Sequence, residues 1–381
     1  MACMRKRPYG DTGIEVSPLS YGAMRLPCLP KGGGVDFEKA IAVLHRAFER
    51  GVNLVDSSWG YHGAQSELAV GRALDAWKGH RVYVQTKAAY YRKRSARETD
   101  RGDLEEQRRR LGGRVIDFYL MHSLDWKKFK EHGSRWLAMA EAAKAAGEIG
   151  HIGFSVHAEP GNVVKLIDTG AFEVMVIQYN LLDRRFEGAI AHAREKGLGV
   201  AVMGPIAGGR LAAPSEVLAP FVPGDAAEGT AAERNAELAL RFVLANRNVS
   251  TAMSGMTTIE MVNRNADAAV RGGLSHHASE SLLDAVEKRK PLHDTGCTGC
   301  GYCKPCSQKI QIPSILGLFP LYHVWGLEDA AREKYARFGQ GDWMGPNATA
   351  CTECGECLER CPQNLNIPEL LRGAHALLGA E

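Results

Sequence analysis

Eight of the ten cysteines in this 381-residue chain lie within its last 85 residues, in two spaced groups. The first is Cys297, Cys300, Cys303 and Cys306 in CTGCGYCKPC, and the second is Cys351, Cys354, Cys357 and Cys361 in CTECGECLERCP. The second group reads C-x2-C-x2-C-x3-C-P, a spacing that wraps one tight loop around a cubane iron–sulfur cluster. Three thiolates of such a loop reach three irons. The fourth, turned away by Pro362, goes to another cluster. Paired C-x2-C units also build four-cysteine zinc sites, but those separate two pairs, whereas three cysteines at successive x2 spacings fit a cubane better.

The two groups are copies of one unit. CSQKIQIP follows the first (Cys306 to Pro313) and CPQNLNIP the second (Cys361 to Pro368), as expected of an internal duplication. This organisation resembles that of two-cluster ferredoxins, and the resemblance implies cross-ligation between the halves. Cys297, Cys300, Cys303 and Cys361 would hold one [4Fe–4S] cluster, and Cys306, Cys351, Cys354 and Cys357 the other. The first copy departs from the pattern in two places: only two residues separate Cys303 from Cys306, and Ser307 stands where the second copy has Pro362. Cys3 and Cys28 fall outside the repeats and are read as incidental thiols.

Composition is that of an ordinary globular protein, 45% hydrophobic and 24% charged. A formal net charge of +3 is too small to point to nucleic acid. The basic run Arg92–Lys93–Arg94 with Arg97 reads as a solvated loop. No apolar run is long enough for a membrane span, and the N-terminus lacks the apolar stretch of a signal peptide. Cluster ligation by reduced thiols places the expected location in the cytoplasm.

Ahead of the cysteines, residues 16–270 alternate short apolar strands with amphipathic helical segments. The strands are expected at Leu19–Gly22, Asn53–Asp56, Val82–Thr86, Asp117–Met121, His151–Ser155, Val174–Gln178, Gly199–Met203 and Ser250–Ser254. Between the first two, FEKAIAVLHRAFERG places Ile41, Leu44, His45 and Phe48 on one helical face. Eight such units over about 250 residues predict an α/β fold of the (β/α)8 TIM-barrel class. An open doubly wound sheet is the competitor, and no G-x-G-x-x-G follows an early strand.

Chemistry in a barrel sits at the carboxyl ends of the strands. Asp56 closes the second expected strand, Lys87 follows the third, His122 ends the fourth, and Tyr61 lies in the loop just past Asp56. Singly, each has a bland reading: a helix cap, a surface charge, a core histidine. Four titratable groups at the mouths of consecutive strands point to a catalytic set.

With these residues in place, the chain resembles the aldo/keto reductases. The matching segments are VDSSWGYHGAQSE (55–67), YVQTK (83–87), IDFYLMHSLD (116–125), HIGFSVH (151–157), VIQYN (176–180), GPIAGG (204–209) and SGMTTIEMVNRN (254–265). More narrowly it resembles the branch with a C-terminal ferredoxin-like domain, which implies a barrel over 1–290 and a small α+β iron–sulfur domain over 291–381 with a helical insertion. The resemblance implies reversible NAD(P)-linked reduction of an aldehyde or ketone, with a small-molecule carbonyl or alcohol as substrate. Tyr61 would donate the proton. A phenol with a pKa near 10 is a reluctant acid–base at neutral pH, so Lys87 would draw it down while Asp56 holds Lys87. His122 would orient the carbonyl oxygen.

The same resemblance implies that Ser155 and Gln178 contact the nicotinamide carboxamide. The backbone of Gly204, Pro205, Ile206, Ala207, Gly208 and Gly209 would approach the pyrophosphate, and Asn265 the adenine. Departures stand beside these matches. Val156 replaces an asparagine, Met203 an aromatic that stacks on nicotinamide, and Gly255 and Met261 the two cations that grip the 2′-phosphate of NADP, leaving Arg264 nearby. Lost cations at a phosphate site tilt the expectation toward NAD(H). Trp59, Tyr90, Tyr91, Leu124 and Trp126 lie in loops after the second, third and fourth strands, where they either line a substrate pocket or merely cover the barrel, and the segment 210–232 is expected as a lid over the cofactor or a plain loop.

A cubane passes one electron and nicotinamide two as hydride, and no flavin motif is seen to mediate. A structural role for the clusters, or docking of a redox protein partner, therefore fits at least as well as transfer within the chain. The competing reading is an electron-transfer or redox-sensing protein on a barrel scaffold that no longer turns over nicotinamide, or reductive chemistry fed directly by the clusters.

Overall fold

The computed structural model describes residues 4–90, 100–293, 295, 297, 301–340 and 344–379. Cys3, Tyr91, Arg92, Lys93, Arg94, Arg97 and Cys300 lie outside them. Two compact units emerge, one of residues 1–208 with 239–274, the other of 209–238 with 275–381.

The first unit is a closed barrel of eight parallel strands. A short antiparallel hairpin, β1 (Arg7–Pro8) and β2 (Glu15–Val16), precedes it. The barrel follows as β3 (Leu19–Gly22), β4 (Leu54–Asp56), β5 (Tyr83–Ala88), β6 (Ile116–Leu124), β7 (Ile149–Val156), β8 (Val174–Gln178), β9 (Gly199–Met203) and β10 (Thr251–Ser254). Each strand pairs with the next, and β10 closes the ring against β3. Closure rules out the open sheet. A helix follows every barrel strand, and its start is written into the sequence. Asp36 caps Phe37–Glu49 by accepting from Lys39 N, Asp125 caps Trp126–Ala145 through Lys128 N, and Thr258 caps Ile259–Arg271 through Met261 N.

The amino-terminal ends of the strands are plugged by the hairpin. Tyr9 and Val16 are fully buried in one apolar cluster with Leu54, Phe118, Leu120, Val174, Val176 and Ala201. The Tyr9 ring meets Phe118 edge-on at 4.8 Å. Plugging leaves the opposite, carboxyl ends open for loops that carry chemistry.

In the second unit the described residues after the long helix His276–His293 form helices and no strand. They are Ile312–Leu316, Leu318–His323, Glu328–Ala336, Glu356–Glu359 and Ile367–Leu378. The first three of these supply the helical insertion between the cysteine groups. Residues 209–238 group with this unit. Ser215 Oγ donates to Trp325 O at 2.6 Å and also caps Leu218 N at 3.1 Å, while Leu211 and Leu218 are fully buried. The Ala, Pro and Gly content of the segment concealed this, since its order comes from partners more than a hundred positions away. Among the described residues no helix is long and apolar enough to cross a membrane.

Gly10 lets the hairpin seat. Its φ is +66°, and a Cβ there would stand 2.2 Å from Gly199 N and 2.5 Å from Gly197 O, both backbone atoms. Gly10→Ala should therefore destabilise the barrel by about 2 kcal/mol or more. Urea unfolding followed by tryptophan fluorescence checks this, and an unchanged midpoint would show that the plug is dispensable.

Candidate active site

The four residues expected to act together do converge at the carboxyl ends of β4, β5 and β6. Lys87 Nζ donates to Asp56 Oδ1 at 2.7 Å, to Asp56 Oδ2 at 2.6 Å and to Ser57 O at 2.8 Å. It also hydrogen-bonds the Tyr61 side chain and lies 5.0 Å from the centre of that ring. Burial by itself would depress the Lys87 ammonium, but Asp56 and then Tyr61 outweigh it and hold the pKa above the ordinary value. The lysine is therefore charged.

Local structure fixes each partner. Past its last strand residue, β4 continues along β5 through Ser57 N to Gln85 O (2.8 Å) and Trp59 N to Lys87 O (3.1 Å). His62, Gly63 and Ala64 then turn through positive φ, and Ser66 N returns to Tyr61 O at 3.3 Å, so Tyr61 stands on a short, tied loop. His122 sits at an irregularity of β6. The register with β7 shifts between Met121 and Leu124, and Ser123 adopts φ 54°. Ser155 Oγ accepts from Ser123 N at 2.9 Å and Lys128 Nζ donates to Ser123 O at 2.6 Å, so the bulge is held on both sides. Its ring meets Tyr61 edge-on at 6.0 Å, and Nδ1 lies 3.0 Å from Ser58 Oγ. Burial first, then the charge on Lys87, pushes His122 down to about 3. It is a neutral imidazole with one N–H to donate.

Several supporting residues were invisible to spacing. Tyr9 OH donates to Gln85 Oε1 at 2.7 Å, and Gln85 Nε2 donates to Asp56 Oδ1 at 2.7 Å. A buried chain thus runs from the plug through the barrel core to the ion pair. Beside it, Glu67 accepts from Thr86 Oγ1 (2.7 Å) and Gln107 Nε2 (2.6 Å), and Tyr119 OH donates to Gln107 Oε1 (2.9 Å). The one sequence signal for these was polar residues, Gln85 and Thr86, inside the strand that carries Lys87.

The expected nucleotide residues are placed along the neighbouring strand ends. Ser155 ends β7 beside Val156, and Gln178 ends β8, where its Nε2 reaches Asp183 Oδ2 at 3.3 Å. Asn265 Nδ2 donates to Ser254 Oγ at 3.1 Å. In the loop after Met203, Gly204, Ala207, Gly208 and Gly209 all take positive φ; Pro205 and Ile206 lie between them. A Cβ on Gly204 would meet nothing within 4 Å, which leaves the backbone approachable, as a pyrophosphate requires. Of the expected substrate aromatics, Trp59 lies under the Arg110 guanidinium at 4.3 Å, Trp126 stacks on Phe129 at 5.7 Å, and Tyr90 is buried against His132. Leu124 is fully buried, and Tyr91 is outside the described residues.

The cysteines of the second unit line two neighbouring cavities. One, of about 390 Å³, is lined by Cys303, Cys306, Cys351, Cys354 and Cys357. The other, of about 330 Å³, takes Cys297, Cys303 and Cys361. All seven are free thiols, and Cys300 lies outside the described residues. Burial, then the nearby Cys351, Cys354 and Cys303 sulfurs, pushes the Cys357 thiol up, as expected where sulfurs crowd a shared space. Among the described residues no three potential ligands close on a single-ion site. Thiols spread round a cavity suit a cluster of atoms.

Residues 18–282 match the aldo/keto reductase family, and residues 295–365 match the 4Fe-4S dicluster domain. The chain is 26% identical over 241 residues to the NADH-specific methylglyoxal reductase of Escherichia coli K12, covering 58% of this chain and 73% of that protein. It is 26% identical over 306 residues to L-galactose dehydrogenase of Arabidopsis thaliana, covering 75% and 94%. Among solved structures, the holo form of aldo-keto reductase AKR11C1 from Bacillus halodurans superposes with a TM-score of 0.62 at 24% identity. The match covers 74% of this chain and 96% of that one, and it speaks for the fold.

A neutral His122 has a direct readout. With its pKa near 3, its imidazole resonances should not shift between pH 8 and pH 5 in a histidine-labelled NMR titration. The folded pKa is depressed, so the unfolded chain takes up a proton below about pH 6.5 that the folded one refuses. Stability from this group is therefore complete above that pH and lost as pH falls toward 3. A His122 midpoint near 6.5 would contradict the assignment.

Proposed function

The chain belongs to the aldo/keto reductase family and carries a 4Fe-4S dicluster domain after the barrel, and on that premise we propose that it reversibly reduces an aldehyde or ketone with NADH, Tyr61 being the proton donor. The observation that carries this reading is the buried Lys87 ammonium, held on both oxygens of Asp56 and hydrogen-bonded to Tyr61.

A reduced nicotinamide, when bound, supplies the hydride. Ser155 and Gln178 would hold its carboxamide, the open turn at Gly204 its pyrophosphate and Asn265 its adenine. Charge then grows on the substrate oxygen, where Tyr61 O–H and the His122 N–H act as donors. Tyr61 passes its proton to that oxygen, and the phenolate left behind is stabilised by Lys87. Asp56 keeps Lys87 charged and in place. His122, neutral at physiological pH, orients the carbonyl without competing as an acid. Trp59 and Trp126 would border the substrate. The NADH preference rests on the missing cations at Gly255 and Met261, and it agrees with the name of the E. coli relative.

Two [4Fe–4S] clusters are the reading of the cysteine cavities. Cys297, Cys300, Cys303 and Cys361 would hold one, and Cys306, Cys351, Cys354 and Cys357 the other; the crossing is supported by Cys306, which lines a cavity with the second group, and by Cys361, which lines one with Cys297, while Cys303 lines both. A hydride carries two electrons and a cubane one, so exchange between them needs a mediator. The clusters are accordingly read as the scaffold of the second unit, and as a docking point for a redox protein.

Two measurements test these assignments. Anaerobically prepared protein should contain about eight iron and about eight sulfide per chain, with absorption near 400 nm that bleaches on reduction. Stoichiometric zinc without sulfide would overturn the cluster reading. Tyr61→Phe should abolish carbonyl reduction while leaving NADH affinity and iron content unchanged, because the hydroxyl is needed only as charge develops. Undiminished turnover in that variant would remove Tyr61 from the mechanism.

A further inference from the structure

Gly255 stands where the family resemblance puts a phosphate-gripping cation, and the structure shows what takes that space. A Cβ on Gly255 would lie 2.5 Å from Arg25 Cβ and 2.7 Å from Arg25 Cγ. Those atoms sit close to the Arg25 backbone and cannot swing aside as a side-chain tip could. Position 255 is therefore compatible with the course of Arg25 only as glycine. Arg25 comes from the loop after β3, where its N donates to Gly22 O at 3.4 Å. From Gly255 its side chain extends toward the loop after β9, bringing Nη2 to 3.9 Å from the point where a side chain on Gly208 would begin. The three loops are neighbours because β10 pairs with both β3 and β9.

The guanidinium is exposed and has no hydrogen-bond or ion-pair partner among the described residues. Beside it the backbone turns left-handed at Gly204, Ala207 and Gly208, with φ of 65°, 50° and 70°. An unpaired cation thus faces an open, glycine-rich turn, a combination suited to a phosphate ester. Arg264, the other cation near this mouth, is already engaged by Glu260 at 3.1 Å.

We propose that Arg25 binds the pyrophosphate of the nicotinamide dinucleotide, in the space that Gly255 leaves open. The inference rests on the nucleotide reading above. It places the positive charge on the phosphates that NADH and NADPH share, instead of on the 2′-phosphate that distinguishes them. The exchange of a cation at 255 for Arg25 keeps overall affinity and gives up selectivity for NADP.

Calorimetric titration of the cluster-loaded full chain with NADH, NADPH and ADP-ribose tests it without turnover. Arg25→Ala should weaken all three by about ten- to a hundredfold, the value of one charge-assisted phosphate contact, and leave the NADH-to-NADPH ratio unchanged. Gly255→Ala should weaken them in the same direction by displacing Arg25, and Arg25→Lys should restore part of the loss. Iron content verifies that each variant is folded. Unaltered ADP-ribose and NADH affinity in Arg25→Ala would overturn the proposal, and a loss confined to NADPH would overturn it by moving Arg25 to the 2′-phosphate. If the unaltered protein binds none of the three, the nucleotide reading itself falls, an outcome distinct from a silent Arg25.

Discussion

The Lys87 ammonium is 2% exposed, and a lone ammonium at that depth would shed its proton or unfold its surroundings. Asp56 at 2.6 Å, itself 5% exposed, makes the charge tolerable, and Ser57 O occupies a further donor. Taking away one member of such a pair costs roughly 3–5 kcal/mol, because the other is left buried and uncompensated. The requirement propagates outward. Asp56 Oδ1 needs Gln85 Nε2, Gln85 Oε1 needs Tyr9 OH, and Tyr9 needs the hairpin that carries it into the barrel. The catalytic end and the plugged end are thus joined by one chain of satisfied polar groups.

That chain also sets the electrostatic surroundings of Tyr61. Tyr61 has a fixed positive charge on one side and a neutral imidazole on the other. Had His122 been charged, it would have shared a small cavity with Lys87 and repelled it. The Lys87 ammonium thus helps hold the histidine neutral.

Much of this was legible in the sequence, because strand ends are local. Leu19–Gly22, Val174–Gln178 and Gly199–Met203 have the same bounds in the structure as in the apolar pattern. The strand expected at Asp117–Met121 runs instead from Ile116 to Leu124. Its extension holds the bulge at His122, and bulges depend on partners in another strand. Gln85, Tyr9, Ser58 and Gln107 went unread for a similar reason: a lone glutamine or tyrosine in a strand has no spacing signature, and its role appears only when a partner far along the chain arrives. Arg25 is the sharpest case. The family resemblance implies a cation lost at 255, while the side chain occupying that space lies 230 positions earlier.

The division of the chain into units has a consequence for how such a protein can change by descent. A cysteine-bearing module attached as a simple tail could be gained or lost by one cut in the gene. Here residues 209–238 leave the barrel sequence, join the unit formed by 275–381, and return. Ser215 is tied to Trp325, and Val217 packs so close to Gly326 that a side chain there would stand 2.9 Å away. A break at the end of the barrel would orphan that excursion, and grafting the tail onto another barrel would leave it without its counterpart. The loop and the tail are one heritable module written in two places.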